Sequence, residues 1–558
     1  MSERPADRVV GEVSTRGRVL VAEPYFEPGP ALTLGRRGAV DAEPGELVAV
    51  EPDGRGHALL DEVLGRPDDP AAVMHALAVE AGAAVPWPVA AVVGAAPEPG
   101  RDRLDLRGLE TVTIDPEGAK DHDDALSVDG KRVYVHIADV AAHVPAGSPL
   151  DAEATRRATS VYLPGRVDPM LPEALSADRC SLRAGQDRLA VSLALGPGER
   201  VEAHRTLIRS DHTLTYPQAQ AILDGGTAPD GLAAALRRAA ALADDLRARR
   251  MARGALEIET REVEIRFGPE GIEASPRAHL PAHGLIEELM ILANRRVAEL
   301  LIAGNRPALH RVHEPPEAAA VEVLLERLEA LGVPTPPAPA LHGGPETARY
   351  AGRLSRAVGE YATRERRGAG AWPAMVLRAV RKARYDPAPL GHTGIAARHY
   401  CHFTSPIRRY PDLVCHRALL AALGAGDDAA PEAAGRGELA AHCSQAERDA
   451  ERLERRGTAI CLAFLLERRL FHEGWDASFE GEVVGLIEAG AFVRFGEVFE
   501  GFMPARLWRG ERSALDPLGV ALVARSGRRL RLGDSVEVTV ESVDRARGRI
   551  AVRGIQTA

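Results

Sequence analysis

Four aspartates fall within one short stretch, TIDPEGAKDHDDALSV (113–128): Asp115, Asp121, Asp123 and Asp124. Like charges crowded so closely raise one another's pKa and cost stability unless a cation sits among them. Ligation by oxygen alone suits Mg²⁺ or Mn²⁺ rather than zinc. Two such ions about 3.5–4 Å apart can activate a water and stabilise the leaving oxygen of an in-line phosphoryl displacement. A Ca²⁺ loop of the EF-hand kind fails, because Leu126 stands where that loop needs Gly and Ala125 where its third acidic ligand belongs. A D-x-D site of a sugar-nucleotide enzyme and a plain solvated turn both remain open on these four residues alone.

A second segment, HYCHFTSPIRRYPDLVCHR (399–417), sets Arg408, Arg409 and Arg417 close to Tyr400, Phe403 and Tyr410. Arginines that fork onto phosphates, interleaved with rings that stack on bases, suit a nucleic-acid groove. The same stretch also suits an Arg-rich helix start bonded to carbonyls and carboxylates. His399, Cys401, His402, Cys415 and His416 match no zinc spacing and are expected to pack in the core.

The elements that must position these residues are legible in outline. TVTID is a strand ending at Asp115, and ALSVDGKRVYVHIADV is a hairpin with Asp129-Gly130 at the turn and Val133, Val135 and Ile137 on one face. Helical periodicity covers 284–304, 318–332 (closed by Gly332) and 437–472. Short strands broken by Gly and Pro over the first 65 or so residues, and again over 478–553, indicate two small β-barrels.

Composition narrows the class. Of 558 residues 45% are hydrophobic and 27% charged, which excludes a wholly disordered or fibrous chain. The net charge, 70 − 80 = −10, excludes a polycation that coats nucleic acid through bulk charge but not an enzyme with a local basic channel. Lys occurs only at Lys120, Lys131 and Lys382, leaving 70 − 3 = 67 Arg, as a GC-rich coding bias produces. Nearly every cation therefore carries a planar fork suited to phosphate. Five scattered cysteines without a C-x-x-C pair indicate a reducing compartment. With no apolar run of about 18 residues and none behind the first charges, a cytoplasmic chain with no membrane contact is expected.

Taken together the motifs resemble the ribonuclease II/R family, hydrolytic 3′-to-5′ exoribonucleases built on the RNB catalytic domain. The matching stretches are TIDPEGAKDHDDALSV, TSVYLPGRVDPMLPEALSADRCSL (159–182), HGLIEELMILAN (283–294), HRVHEPP (310–316) and GHTGIAARHYCHFTSPIRRYPDLVCHR (391–417), in the family's order. The resemblance implies a multidomain α+β enzyme: a cold-shock-type OB module at 12–66, a helix and Pro/Ala-rich linker at 67–100, the RNB domain at 101–425, a helical segment at 426–475 and an S1-type OB domain at 476–555.

It also implies roles. Asp115, Asp121, Asp123 and Asp124 match the metal-binding carboxylates, with Asp123 the one most tied to chemistry. Arg408 matches the arginine on the scissile phosphate, Tyr162 the tyrosine that fixes the 3′-terminal nucleotide, and Glu287 a glutamate that contacts the terminal nucleotides; Arg409 is grouped with them on RNA. Ile258, in RGALEIE (253–259), stands where the family carries a Phe that clamps terminal bases. The implied reaction is Mg²⁺-dependent hydrolysis of single-stranded RNA to nucleoside 5′-monophosphates by a monomer, with Mn²⁺ as a substitute ion and no organic cofactor. No Ser/His/Asp or Cys/His constellation suggests a covalent intermediate. Two rivals differ in class. A non-catalytic RNA-binding regulator with a degenerate RNB domain would lose carboxylates, whereas this chain keeps four; a glycosyl or nucleotidyl transferase would need a Gly-rich phosphate loop of the usual form. The family usually has two N-terminal OB modules and often a Lys-rich tail, where this chain shows one module and no such tail.

Overall fold

The computed structural model describes residues 8–35, 41–88, 93–95, 97–100, 102–196, 201–256, 262–268, 271–425, 435–508 and 512–554. Strand-forming residues alternate with Gly turns in Val9–Arg16, Val19–Pro24, Leu32–Gly35, Leu47–Pro52 and His57–Gly65, and these close into a barrel in the order first, second, third, fifth, fourth. Ser478–Ile487, Gly490–Phe495, Phe499–Pro504, Ser535–Asp544 and Arg549–Gly554 close in the same order. Both are OB barrels, and closure leaves their strands without free edges. A three-stranded sheet over Ser513–Leu515, Ala521–Ala524 and Arg529–Arg531 is inserted before the fourth strand of the second barrel.

Between the barrels lies a seven-stranded sheet. From one edge to the other it runs His212–Thr215, Thr111–Asp115, Asp124–Asp129, Arg132–Ala138, Asp187–Leu195, Val201–Arg209 and Leu104–Asp105. Val133, Val135 and Ile137 do face the core together, yet the opposite face is buried as well. There His136, fully buried, shares hydrogen bonds of 2.6 Å with Ser127 Oγ and Ser192 Oγ, and burial pushes its pKa down to about 3. The turn also shifts by one residue: Asp129 pairs with Arg132, so Gly130-Lys131 occupy it.

The expected helices form as Pro281–Ala303, Ala318–Ala330 and Arg436–Glu473. Pro281 takes the first turn, where its missing N–H is harmless, and Gly332 ends the second helix at φ +73°, a left-handed cap that favours Gly. The 38-residue helix Arg436–Glu473 touches three cores. Ala440 and Cys443 enter the sheet's core; Ile460, Cys461 and Phe464 pack with the first barrel, and Leu462, Leu466 and Leu470 with the second. All five cysteines are free and buried. Among the described residues no helix is long and apolar enough to cross a membrane.

Candidate active site

Strand geometry places the acidic residues. Asp115 ends Thr111–Asp115, Asp124 begins the antiparallel neighbour, and the connecting loop carries Asp121 and Asp123. The parallel pairing of His212–Thr215 onto Thr111–Asp115 brings Tyr216 to the same sheet end, where it stacks on His283 with centroids 3.9 Å apart. Burial, then Asp124 and Asp115, push the Tyr216 phenol up.

Asp123 is only 4% exposed. Its Oδ1 accepts from the Ile407 N–H at 2.8 Å, while its buried Oδ2 has no hydrogen-bond partner. Arg408 Nε is an ion-pair neighbour of that oxygen at 3.5 Å, and the Arg408 side chain remains 43% exposed. The loop carrying Arg408 is tied down at both ends. Ser405 N–H donates to Asp412 Oδ1 at 2.8 Å, and the Ser160 N–H donates to the Arg408 carbonyl at 2.9 Å.

That second tie leads to Tyr162. It sits on the hairpin Val161–Leu163 and Arg166–Asp168, 36% exposed, with its hydroxyl donating to Asp121 Oδ2 at 2.6 Å. Its own N–H donates to Glu454 Oε1 at 2.8 Å, so the long helix braces the hairpin. Gly457, one turn on, lets the two approach: a Cβ there would lie 2.8 Å from Leu163 Cδ2 and 3.2 Å from Pro164 Cδ.

The electrostatics are those of a carboxylate cluster short of positive charge. Burial raises Asp123 well above the usual carboxylate range, against Arg408 and the Ile407 hydrogen bond. Burial, reinforced by Asp115, pushes Asp124 up to about 7. His122 shares a hydrogen bond with Asp115 Oδ2 at 2.7 Å; burial works against its charged form, but Asp115 outweighs that and raises its pKa. An all-oxygen donor set with an orphaned buried oxygen fits a divalent cation in its chemistry. In the geometry shown, Asp121 is turned to Tyr162 and Asp115 to His122, and among the described residues no three acidic, His or Cys side chains converge on one ion-sized position.

Several sequence expectations need correcting. Arg409 was placed on RNA, but its fork is committed to Asp412 at 2.7 and 2.9 Å, where it holds the start of the helix Tyr410–Ala422. Arg417 is buried against Asp151 at 2.9 Å, and Tyr400, Phe403 and Tyr410 are core side chains rather than base-stacking rings. Of that Arg- and ring-rich stretch only Arg408 faces the site. Glu287 is half-exposed and 3.3 Å from Arg250, whereas neighbouring Glu288 is buried against the same Arg250 at 2.5 Å. Ile258 lies outside the described residues. His122, Tyr216 and Glu454 join the site without having been anticipated. His122 was visible inside the acidic motif; Tyr216 and Glu454 arrive from about 100 and 300 residues away, with no local signal.

The sheet end thus gathers a carboxylate cluster flanked by Arg408 and Tyr162. The RNB domain family matches residues 103–425 and the S1 RNA binding domain 475–553. The chain belongs to the RNB family. It is 35% identical over 470 residues to Ribonuclease R of Aquifex aeolicus, covering 80% of this chain and 64% of that protein. The chain thus spans less than two thirds of that relative's length. Among solved structures, Mycoplasma genitalium RNase R in complex with ribose methylated single-stranded RNA superposes with TM-score 0.85 at 25% identity, over 99% of this chain and 90% of that one. Yeast Ssd1, a pseudonuclease, shares the fold at TM-score 0.67 and 16% identity, over 94% of this chain and 68% of that one.

Proposed function

We propose that this chain is a hydrolytic 3′-to-5′ exoribonuclease that degrades single-stranded RNA to nucleoside 5′-monophosphates. The fold alone does not carry this, since a pseudonuclease shares it. What carries it is the retained set of four carboxylates around a buried Asp123 oxygen that lacks a hydrogen-bond partner, with the exposed Arg408 beside it. Asp115, Asp121, Asp123 and Asp124 would hold Mg²⁺, or Mn²⁺ in its place. Bound there, such ions supply an activated water and stabilise the leaving oxygen. Arg408 offers its fork to the scissile phosphate from a position fixed by Ser160 and Ser405. The Tyr162 ring covers the 3′-terminal nucleotide, and Glu287 contacts the terminal nucleotides. The chain acts as a monomer in the cytoplasm; its five buried free thiols suit that reducing compartment.

The test is digestion of 5′-labelled single-stranded RNA and of 3′-tailed duplex RNA with Mg²⁺, resolved on a sequencing gel. Stepwise shortening from the 3′ end, lost with a chelator, is expected. Binding without shortening would favour the non-catalytic regulator, and internal cuts would exclude an exonuclease.

A further inference from the structure

A buried amide stands behind the loop of Arg408. Asn294 lies on the helix Pro281–Ala303 beside Ala293, Val297 and Ala298, all buried, and is itself 3% exposed. A polar group in such surroundings is costly unless its hydrogen bonds are made. Those of Asn294 all go to one short segment. Its Oδ1 accepts from the Phe403 N–H at 2.8 Å, and its Nδ2 donates to the Tyr400 hydroxyl at 3.1 Å and the Thr404 hydroxyl at 3.4 Å. Because the Phe403 N–H can only donate, the orientation of the amide is fixed. The backbone carbonyl of Asn294 adds a fourth tie, accepting from Cys401 Sγ at 3.4 Å.

That segment runs straight into the active-site loop. Arg408 follows Thr404 by four residues, and between them the Ser405 N–H donates to Asp412 and the Ile407 N–H to Asp123. The helix that holds Asn294 also carries Glu287, seven residues earlier. Seven residues are two turns, so the two side chains share a face about 10 Å apart along the axis. Asn294 therefore joins the element that bears Glu287 to the stretch of chain that bears Arg408.

We infer that Asn294 is a positioning residue for hydrolysis: by pinning Tyr400–Thr404 to the helix it sets where the Arg408 fork meets the scissile phosphate. The inference rests on the exoribonuclease reading for what Arg408 binds. Its competitor is that Asn294 only stabilises the fold, while Asp123, Asp412 and Ser160 hold the loop without it. A stabilising amide would change how much of the chain is folded. A positioning amide changes the rate of the folded chain, and does so through the fork.

The experiment uses the full chain and measures single-turnover cleavage at saturating single-stranded RNA, RNA affinity and melting temperature. Asn294→Leu is expected to slow cleavage about 10- to 100-fold while affinity changes less than about threefold. Tyr400→Phe cuts one tie and keeps the packing, so it should slow cleavage less, and it serves as the test where Asn294→Leu does not fold. In an Arg408→Lys background the fork is gone, and adding Asn294→Leu or Tyr400→Phe should cost little more. Wild-type rates in folded Asn294→Leu, or in Tyr400→Phe where the former does not fold, overturn the inference. So does a loss that multiplies in full with that of Arg408→Lys. Failure of the wild-type chain to shorten RNA overturns the exoribonuclease reading. The role of Asn294 is then decided by peptide mapping of phenylglyoxal modification: bound RNA shielding Arg408 in the wild type but not in the variant supports it, and equal shielding overturns it.

Discussion

One oxygen of Asp123 accepts the Ile407 N–H and the other is bare. Asp123→Asn keeps the accepting oxygen and the shape but removes the charge. We expect hydrolysis to be abolished with RNA affinity near wild type, measured by single-turnover cleavage and by filter binding. Arg408→Lys keeps a charge yet loses the fork, so turnover should drop about 10²-fold, read from cleavage rates under saturating RNA. Stability at the residue scale has a separate centre in Asp139, fully buried between Arg103 at 2.6 Å and Arg205 at 2.9 Å. Burial alone would raise its carboxyl, but Arg103 and Arg205 prevail and hold it below the usual range. With the folded pKa depressed, its contribution is present above the unfolded value and is lost as pH falls through the folded one. Asp139→Ala strands two largely buried cations and should cost about 3–5 kcal/mol by urea denaturation at pH 7. The wild-type advantage over this variant should shrink as the medium is acidified.

The hairpin of Tyr162 is clamped by the long helix, and Gly457 is where the two come closest. Glycine is a poor helix former, so its presence mid-helix reflects the approach rather than propensity. Gly457→Val should overpack this seam, costing about 1–3 kcal/mol by thermal melting. It should also slow turnover more than it weakens RNA binding, because it shifts the turn that carries Tyr162. Contiguity explains what was readable at this scale. The acidic motif is a strand end, a loop and a strand start, all local, and its placement follows from the pleat. The Arg- and ring-rich stretch misled because residue types alone do not say which way a side chain points. Aromatic rings suit a core as well as a groove, and the structure buries Tyr400, Phe403 and Tyr410. The two barrels were legible from turn spacing, whereas Glu454 could not be tied to Tyr162 before the long helix was laid across the hairpin.

At the level of the whole molecule, the C-terminal barrel looks from its sequence like a detachable RNA-binding module whose loss would spare the cutting of short oligonucleotides. Its core instead continues into the helices around Trp372 and into Leu462, Leu466 and Leu470. Trp372 Nε1 donates to the Leu532 carbonyl at 3.2 Å, and Glu482 Oε1 accepts from the Gly370 and Ala371 N–H groups at 3.0 Å. Removing residues 476–555 would therefore bare an apolar face. We expect the truncated chain to melt lower and to aggregate, as seen by calorimetry and light scattering, so loss of short-substrate cleavage in it would not by itself place the barrel in the catalytic channel.

The buried thiols have a practical consequence. Cys180, Cys401, Cys415 and Cys443 lie in the sheet's core and Cys461 in the cluster beneath the first barrel, and no cysteine lies in the cluster of the second. Burial suppresses the thiolates of Cys180, Cys401, Cys443 and Cys461, pushing Cys443 and Cys461 up to about 12. A thiol reagent therefore meets them only when those two regions open, so labelling rates act as a clock for their transient unfolding and stay silent about the second barrel. One cysteine added on an exposed surface would take a dye alone, with the native sequence left otherwise intact.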